Sequence, residues 1–276
     1  MLFSELSLYL ERLEKISSRN EITKILAEVL KRSGRNEVDK ISYLLLGELL
    51  PSYRGVEFSL AEKMMLRVLA RAYQKSPAEI MRVYKSKGDL GDTANFFASP
   101  SAGAHHNAES VYKTLREIAG YSGTGSQDKK TSVLAKLISE LDPLSAKFIS
   151  RIPMGKMRLG FSDATMLDAL SVMERGDKSA RPEIERAYNV TADIGEISKL
   201  VKKSGIRSLR GVKPKPGIPI RPALAERLKD LTEIIEKAGP VVGVEQKLDG
   251  FRTQIHVWRE FGKKHIALFS RNLENT

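Results

Sequence analysis

The 276-residue chain contains no cysteine. That excludes disulfides, cysteine-based zinc sites and thiol catalysis, and it fits a reducing compartment. No apolar run approaches the ~20 residues needed to cross a bilayer. The first residues, Met1-Leu2-Phe3-Ser4-Glu5-Leu6, carry no basic stretch and meet an acid at once, so they are not expected to act as a signal peptide. Gly-x-x-x-x-Gly-Lys-[Ser/Thr] does not occur, so any nucleotide site is not a P-loop. Histidines number only 4, and His105-His106 stands in a loop of small residues, where it reads as surface rather than as a metal centre. An excess of negative charge is also missing. Lys plus Arg total 46 against 34 for Asp plus Glu, a net +12. This balance favours a polyanionic partner, nucleic acid or an anionic surface, over an inert solvated exterior.

A hydrophobic fraction of 41% over this length permits about two domains with real cores. Residues 1 to about 200 read as short antiparallel helices without a fixed repeat. Stripes at three- and four-residue spacing run through Phe3, Leu6, Leu10 and Leu13, then Ile22, Ile25, Leu26 and Val29, then Ile41, Leu44 and Leu45 before Pro51. Ser59-Leu60-Ala61-Glu62 has the capping-box spacing and predicts a helix from Ala61 to Tyr73; Ser76-Pro77 opens the next. Residues 88–107 break the pattern, and Tyr121 to Ser126 is a second flexible link. Helix is expected again over Lys129–Leu141 and after Asp142-Pro143. Pro214, Pro216, Pro219 and Pro222 exclude helix and predict an extended linker over 211–222. Ala223 to Ala238 reads as helix, with Leu224, Leu228, Leu231 and Ile235 on one face. Val241–Val244, Thr253–Trp258 and Ile266–Phe269 read as strands.

Two constellations carry chemistry. The first is Lys147, Arg151, Lys156 and Arg158, with no acid between Leu144 and Ser162. Gly155 and Gly160 interrupt it, so backbone N–H groups could approach phosphates while the cations supply charge. A helical corner with solvated ends would look the same. The second is Glu245-Gln246-Lys247-Leu248-Asp249-Gly250-Phe251-Arg252. A lysine between strands that loses its proton is a nucleophile. The glycine lets a ligand approach the backbone, and the arginine offers a planar fork for phosphate. Alternatively, Asp-Gly between apolar runs is an ordinary hairpin turn flanked by solvated charges.

Glu-x-Lys-x-Asp-Gly-x-Arg followed by a strand and Ser270-Arg271-Asn272 resembles the start of the nucleotidyltransferase domain of ATP-dependent DNA ligases. Upstream, Gly155-Lys156-Met157-Arg158-Leu159-Gly160, then Asp163-Ala164-Thr165 and Asp168-Ala169-Leu170, is similar to the DNA-binding domain of archaeal and eukaryotic ligases. So are Gly88-Asp89-Leu90-Gly91 and Arg186 to Gly195, and Gly217 to Ala225 resembles the entry into the adenylation domain. The likeness covers essentially the whole chain. It implies a multi-domain protein: an all-α DNA-binding domain (1–210), a linker (211–222), and the truncated first part of an α+β adenylation domain (223–276).

The resemblance further implies that Lys247 attacks ATP, that Glu245, Arg252 and Arg271 bind the nucleotide, and that Asp249, Gly250 and Asn272 support the site. Lys147, Arg151, Gly155, Lys156, Arg158 and Gly160 would contact DNA. ATP and Mg²⁺ or Mn²⁺ are the implied cofactors, with metal ligands expected beyond Thr276. Nicked duplex DNA is the implied partner and a sliding clamp a further one the family allows. A monomer with no membrane association is expected, intracellular and nucleoid-associated in a prokaryote, serving replication, repair or recombination. The alternatives are a duplex-binding module without catalysis, and an RNA ligase or capping guanylyltransferase, which share Lys-x-Asp-Gly but not the helical basic domain.

Overall fold

The computed structural model describes residues 1–100, 106–223, 226–246 and 248–276. Among these, twelve α-helices come first: α1 (Phe3–Glu14), α2 (Arg19–Arg32), α3 (Val38–Leu46), α4 (Glu62–Tyr73), α5 (Pro77–Lys87), α6 (Leu90–Phe97), α7 (Ala108–Gly120), α8 (Ser126–Ser139), α9 (Pro143–Arg151), α10 (Asp163–Arg175), α11 (Arg181–Thr191) and α12 (Ile194–Ser204). The apolar stripes read from the sequence face inward, and Phe3, Leu10, Leu26, Leu44, Met65 and Phe148 are wholly buried in one cluster extending to Leu209. The helices pack across long sequence separations, α2 on α10, α3 on α12, α4 on α8 and α6 on α9. Buried hydroxyls register two long-range approaches: Ser7 of α1 faces Ser145 of α9 at 3.1 Å, and Ser42 of α3 donates to Ser198 of α12 at 2.8 Å.

The expected capping box at Ser59 does not form. Ser59 has φ of 49°, Ala61 takes the N-cap position, and the helix starts at Glu62. The reciprocal cap occurs one helix later: Glu79 N–H donates to Ser76 Oγ at 3.2 Å, and Ser76 N–H donates to Glu79 at 3.0 Å. The break expected over 88–107 contains α6 instead. Asp89 caps it by accepting from the Asp92 N–H at 2.9 Å. Gly91 there is a contact residue rather than a helix breaker, since a Cβ would lie 2.6 Å from the Lys147 carbonyl oxygen. Ser101 to His105 lie outside the described residues, whereas His106 Nε2 sits 3.2 Å from Glu140. The helix expected from Lys129 starts three residues earlier, at Ser126.

After a 3₁₀ segment at Ile206–Gly211, the proline-rich stretch runs extended but docked. Gly217 N–H donates to His256 Nδ1 at 3.0 Å; the Gln254 side chain accepts from Ile220 N–H at 3.0 Å and donates to its carbonyl at 2.6 Å. The helix expected over 223–238 is confined to α13 (Leu231–Ala238), capped by Asp230; Leu224 and Ala225 lie outside the described residues. A hairpin closes the chain: β1 (Gln254–Glu260) pairs antiparallel with β2 (Lys263–Phe269), Val257 opposite Ile266. Phe261 and Gly262 have φ of 49° and 77°, the positive pair a tight mirror-image turn requires. So the hairpin turn is Phe261-Gly262, not Asp249-Gly250. Val241–Val244 forms no strand, and Val241 and Val244 are exposed; among the described residues no neighbouring strand takes up their backbone hydrogen bonds.

Candidate functional site

The basic loop after α9 is built on alternation. Met157 and Leu159 are buried, whereas Gly155, Lys156, Arg158 and Gly160 are exposed. Met157 is seated over Gly47, where an added Cβ would come within 2.6 Å of its Cγ. The backbone reverses at Gly155 (φ 61°), Arg158 (φ 58°) and Gly160 (φ 70°), and no atom crowds either glycine within 4 Å. Two apolar anchors thus hold out two cations and two bare stretches of backbone, an arrangement suited to phosphate oxygens. The Lys-Met-Arg-Leu alternation, which the sequence reading passed over, is the signal that could have marked these anchors.

The structure corrects the expectation for Lys147 and Arg151. Both lie on α9 where it packs against α1 and α6, and Arg151 is wholly buried. Arg151 Nε donates to Asp89 at 2.9 Å and Nη1 to Glu14 at 2.7 Å; Lys147 Nζ reaches Glu14 at 2.7 Å and Asp92 at 3.0 Å. These cations neutralise acids outside their own helix and are not available to an external phosphate. Burial alone would raise the Glu14 carboxyl, but the bonds from Lys147 and Arg151 outweigh it and hold its pKa below the ordinary value. Burial would likewise lower the Lys147 ammonium, and the bonds from Glu14 and Asp92 raise it instead. Asp89, which the sequence reading placed only in a similar loop, is the organiser. One carboxylate oxygen holds Arg151, and the other lies 3.4 Å from Arg158. It thereby joins the start of α6 to the basic loop.

Lys247 lies outside the described residues. Around it, Glu245, Asp249, Gly250 and Arg252 are exposed and belong to no helix or strand, and Gly250 has φ of 148°, which a side chain would disfavour. Arg271 and Asn272 are held differently. Ser270 Oγ accepts from the Asn272 and Glu274 N–H groups at 3.2 and 3.3 Å, making a tight turn after β2. Phe269 and Leu273, on either side, are buried against Tyr53 and Ala192 of the helical domain. Arg271 and Asn272 are therefore held outward. With Arg221, Pro222 and Leu273 they line a cavity of about 470 Å³. Glu245, Asp249 and Arg252 are not on its wall, so the structure brings Arg271 and Asn272 together without the residues flanking Lys247.

Arg221 is the second residue the sequence reading missed. Its Nη1 donates to Asp163 at 3.2 Å and to the Tyr188 hydroxyl at 3.0 Å. Its guanidinium lies 4.5 Å from the Tyr188 ring centroid, and its backbone N–H reaches Asn189 O at 2.8 Å. Burial and the Asp163 charge push the Tyr188 phenol upward, so it stays a neutral donor, here to Asp163.

Among the described residues, no group of three or more His, Asp or Glu side chains is arranged to hold a metal ion, and no helix is long and apolar enough to cross a membrane. A helical domain with an exposed Gly-spaced basic loop leads into a Glu-x-Lys-x-Asp-Gly-x-Arg segment. Comparison with known proteins is specific. Residues 2–171 match the family model for the DNA ligase N terminus, and residues 222–276 match that for the ATP dependent DNA ligase domain. The chain belongs to the DNA ligase family. It is 42% identical over 289 residues to a DNA ligase of Acidianus ambivalens, covering all of this chain and 48% of that protein. It is 43% identical over 275 residues to a probable DNA ligase of Dictyoglomus turgidum, covering 46% of it, and 41% identical over 292 residues to a DNA ligase of Staphylothermus marinus, covering 48%. The chain spans about half the length of these curated relatives.

Proposed function

We propose that this chain supplies the DNA-grasping domain and the adenylated lysine of an ATP-dependent DNA ligase. The observation that carries the reading is the ordered pair of family matches, with an exposed cationic loop in the first and Lys247 in the second. Lys247 Nζ, deprotonated, attacks the α-phosphorus of ATP; the N–P bond forms, the bond to the oxygen bridging the α- and β-phosphates breaks, and pyrophosphate leaves. AMP then passes to the 5′-phosphate of a nick, and the 3′-hydroxyl displaces it to close the strand. Arg252 and Arg271 balance phosphate charge. Glu245 borders the adenine, Asp249 orients the lysine segment, Gly250 admits the nucleotide to the backbone, and Asn272 lies toward the nick or the ribose. Lys156 and Arg158, with the Gly155 and Gly160 backbone, hold the duplex by its phosphates, without reading bases. A divalent cation, when bound, would offset phosphate charge; among the described residues no cluster of three or more His, Asp or Glu forms a site for one.

The 276-residue chain by itself is expected to bind duplex and not to seal nicks, because the segment around Lys247 stands exposed rather than enclosed. The deciding experiment uses a polypeptide extended to the length of the relatives. Incubation with α-labelled ATP should place AMP on the Lys247 peptide by mass spectrometry. Lys247→Arg should abolish the adduct while keeping DNA binding, since a guanidinium keeps its proton at working pH and cannot attack phosphorus. A guanylate adduct would move the protein to capping chemistry. An adduct on another lysine, with Lys247→Arg still active, would overturn the reading.

A further inference from the structure

The cavity after β2 has a wall from each side of the junction. Arg221 comes from the docked linker and Arg271 from the hairpin's closing turn; Pro222, Asn272 and Leu273 complete it. Only Nη1 of Arg221 is engaged in hydrogen bonds, with Asp163 and Tyr188, and the side chain is 35% exposed. The rest of its planar fork has no bonded partner among the described residues. Arg271 is exposed, with no hydrogen bond or ion pair from its side chain among the described residues. Asp163 neutralises Arg221 from the helical side and is not on the cavity wall, and no carboxylate side chain among the described residues lines the cavity. Glu48 also feels the Arg221 charge; burial first, then Asp163, outweighs it and pushes the Glu48 carboxyl up to about 7, which weakens its competition for the arginine near neutral pH. Two guanidiniums with free N–H groups, one of them fixed by a buried tyrosine and an aspartate, and an exposed amide beside them form a recognition surface for a doubly charged oxyanion.

We propose that Arg221 and Arg271 together form a phosphate-binding site at the junction of the helical domain and the hairpin. The site rests on the ligase reading only for the source of its phosphate, which is either the DNA backbone at a nick or the polyphosphate of a nucleotide. An occupant bonds to both elements at once and so fixes the hairpin's site residues relative to the DNA-holding domain. Arg221 thereby becomes a ligand as well as a tie.

The test titrates inorganic pyrophosphate into the 276-residue chain by calorimetry, with parallel arms for ATP and, by fluorescence anisotropy, for a nicked 5′-phosphorylated duplex. Arg271→Ala and Arg221→Ala should each weaken pyrophosphate binding about tenfold or more, and Arg221→Lys should restore part of the loss. If the duplex arm weakens with them, the phosphate is DNA's; if the ATP arm does, it is the nucleotide's. The idea is overturned if pyrophosphate does not bind, if Arg271→Ala is neutral so that Arg221 acts only as a structural tie, or if Arg221→Ala is neutral so that the site is not shared. None of these outcomes depends on whether Lys247 becomes adenylated, so failure here and failure of the ligase reading are separable.

Discussion

Neighbouring cations on this chain do opposite jobs because of which way each one faces. Arg151 closes α9, Arg158 stands in the loop that follows, and Asp89 touches both. Arg151 is sealed among Glu14, Asp89 and Asp92, where removing it would strand the buried Asp89 carboxylate at a cost of about 3–5 kcal/mol. Arg158 shares Asp89 only at 3.4 Å and half its side chain meets water, so a phosphate can compete for it. Lys156 has no ion pair among the described residues. Replacing Lys156 and Arg158 by Ala should weaken binding to duplexes of any sequence by similar factors. It should also reduce the slope of log K against log salt by about 0.9 for each phosphate that is no longer neutralised. Anisotropy titrations from low to moderate salt measure this, and an unchanged slope removes the loop from the DNA-facing surface.

Among the elements, α6 and α9 make the contact on which the basic loop depends. α9 carries Lys147 and the buried Arg151 and leads through a 3₁₀ turn at Ile152–Met154 into the loop, and α6 presents Gly91 and the Asp89 cap to it. Helix propensity alone says that Gly91→Ala should stabilise by about 1 kcal/mol. The structure reverses the sign, because the new Cβ would lie 2.6 Å from a backbone oxygen and 2.7 Å from Arg151 Nε. Overpacking of this kind costs about 1–3 kcal/mol. Gly91→Ala should therefore lower the midpoint of urea unfolding, whereas Gly120→Ala, with nothing within 4 Å at the end of α7, should leave it level or raise it. Equal effects at the two sites would show that α6 does not approach α9 as closely as these distances require.

For the whole molecule, the ion cluster joining α1, α6 and α9 ties its stability to pH. Glu14 has a folded pKa below its ordinary value of 4.5, so its contribution is complete above that value and is lost as pH falls through the folded pKa. Lys147 is raised above 10.5, so its contribution is complete below that value and is lost as pH rises through the folded pKa. The stability difference between the wild type and Glu14→Gln should be flat across neutral pH and shrink below about pH 4.5. Urea unfolding over a pH series checks this, and a difference that grows on acidification would contradict the linkage. Of the net +12 charge, little is buried: Arg151 is paired with acids and Lys130 donates to the Phe58 carbonyl, which leaves most of the surplus on the outside, where a polyanion can find it.

Much of this was legible in the residues. Apolar stripes at three- and four-residue spacing set the helices, because burying one face is what makes a short helix stable. Dense prolines kept 212–222 out of helix, and the ordered motifs marked the family. The sequence could not separate Lys147 and Arg151 from Lys156 and Arg158: all four are cations in an acid-free run, and their acids come from residues 14, 89 and 92, brought near only by helix packing. Nor could it show α6, since Gly91 reads as a breaker until its neighbour across the interface is known. Arg221 passed as one charge in a linker until Asp163 and Tyr188 closed around it. Local periodicity and covalent constraint act within a few residues and are readable one at a time; charge partners, close approaches and a cavity shared by two elements exist only once distant segments meet.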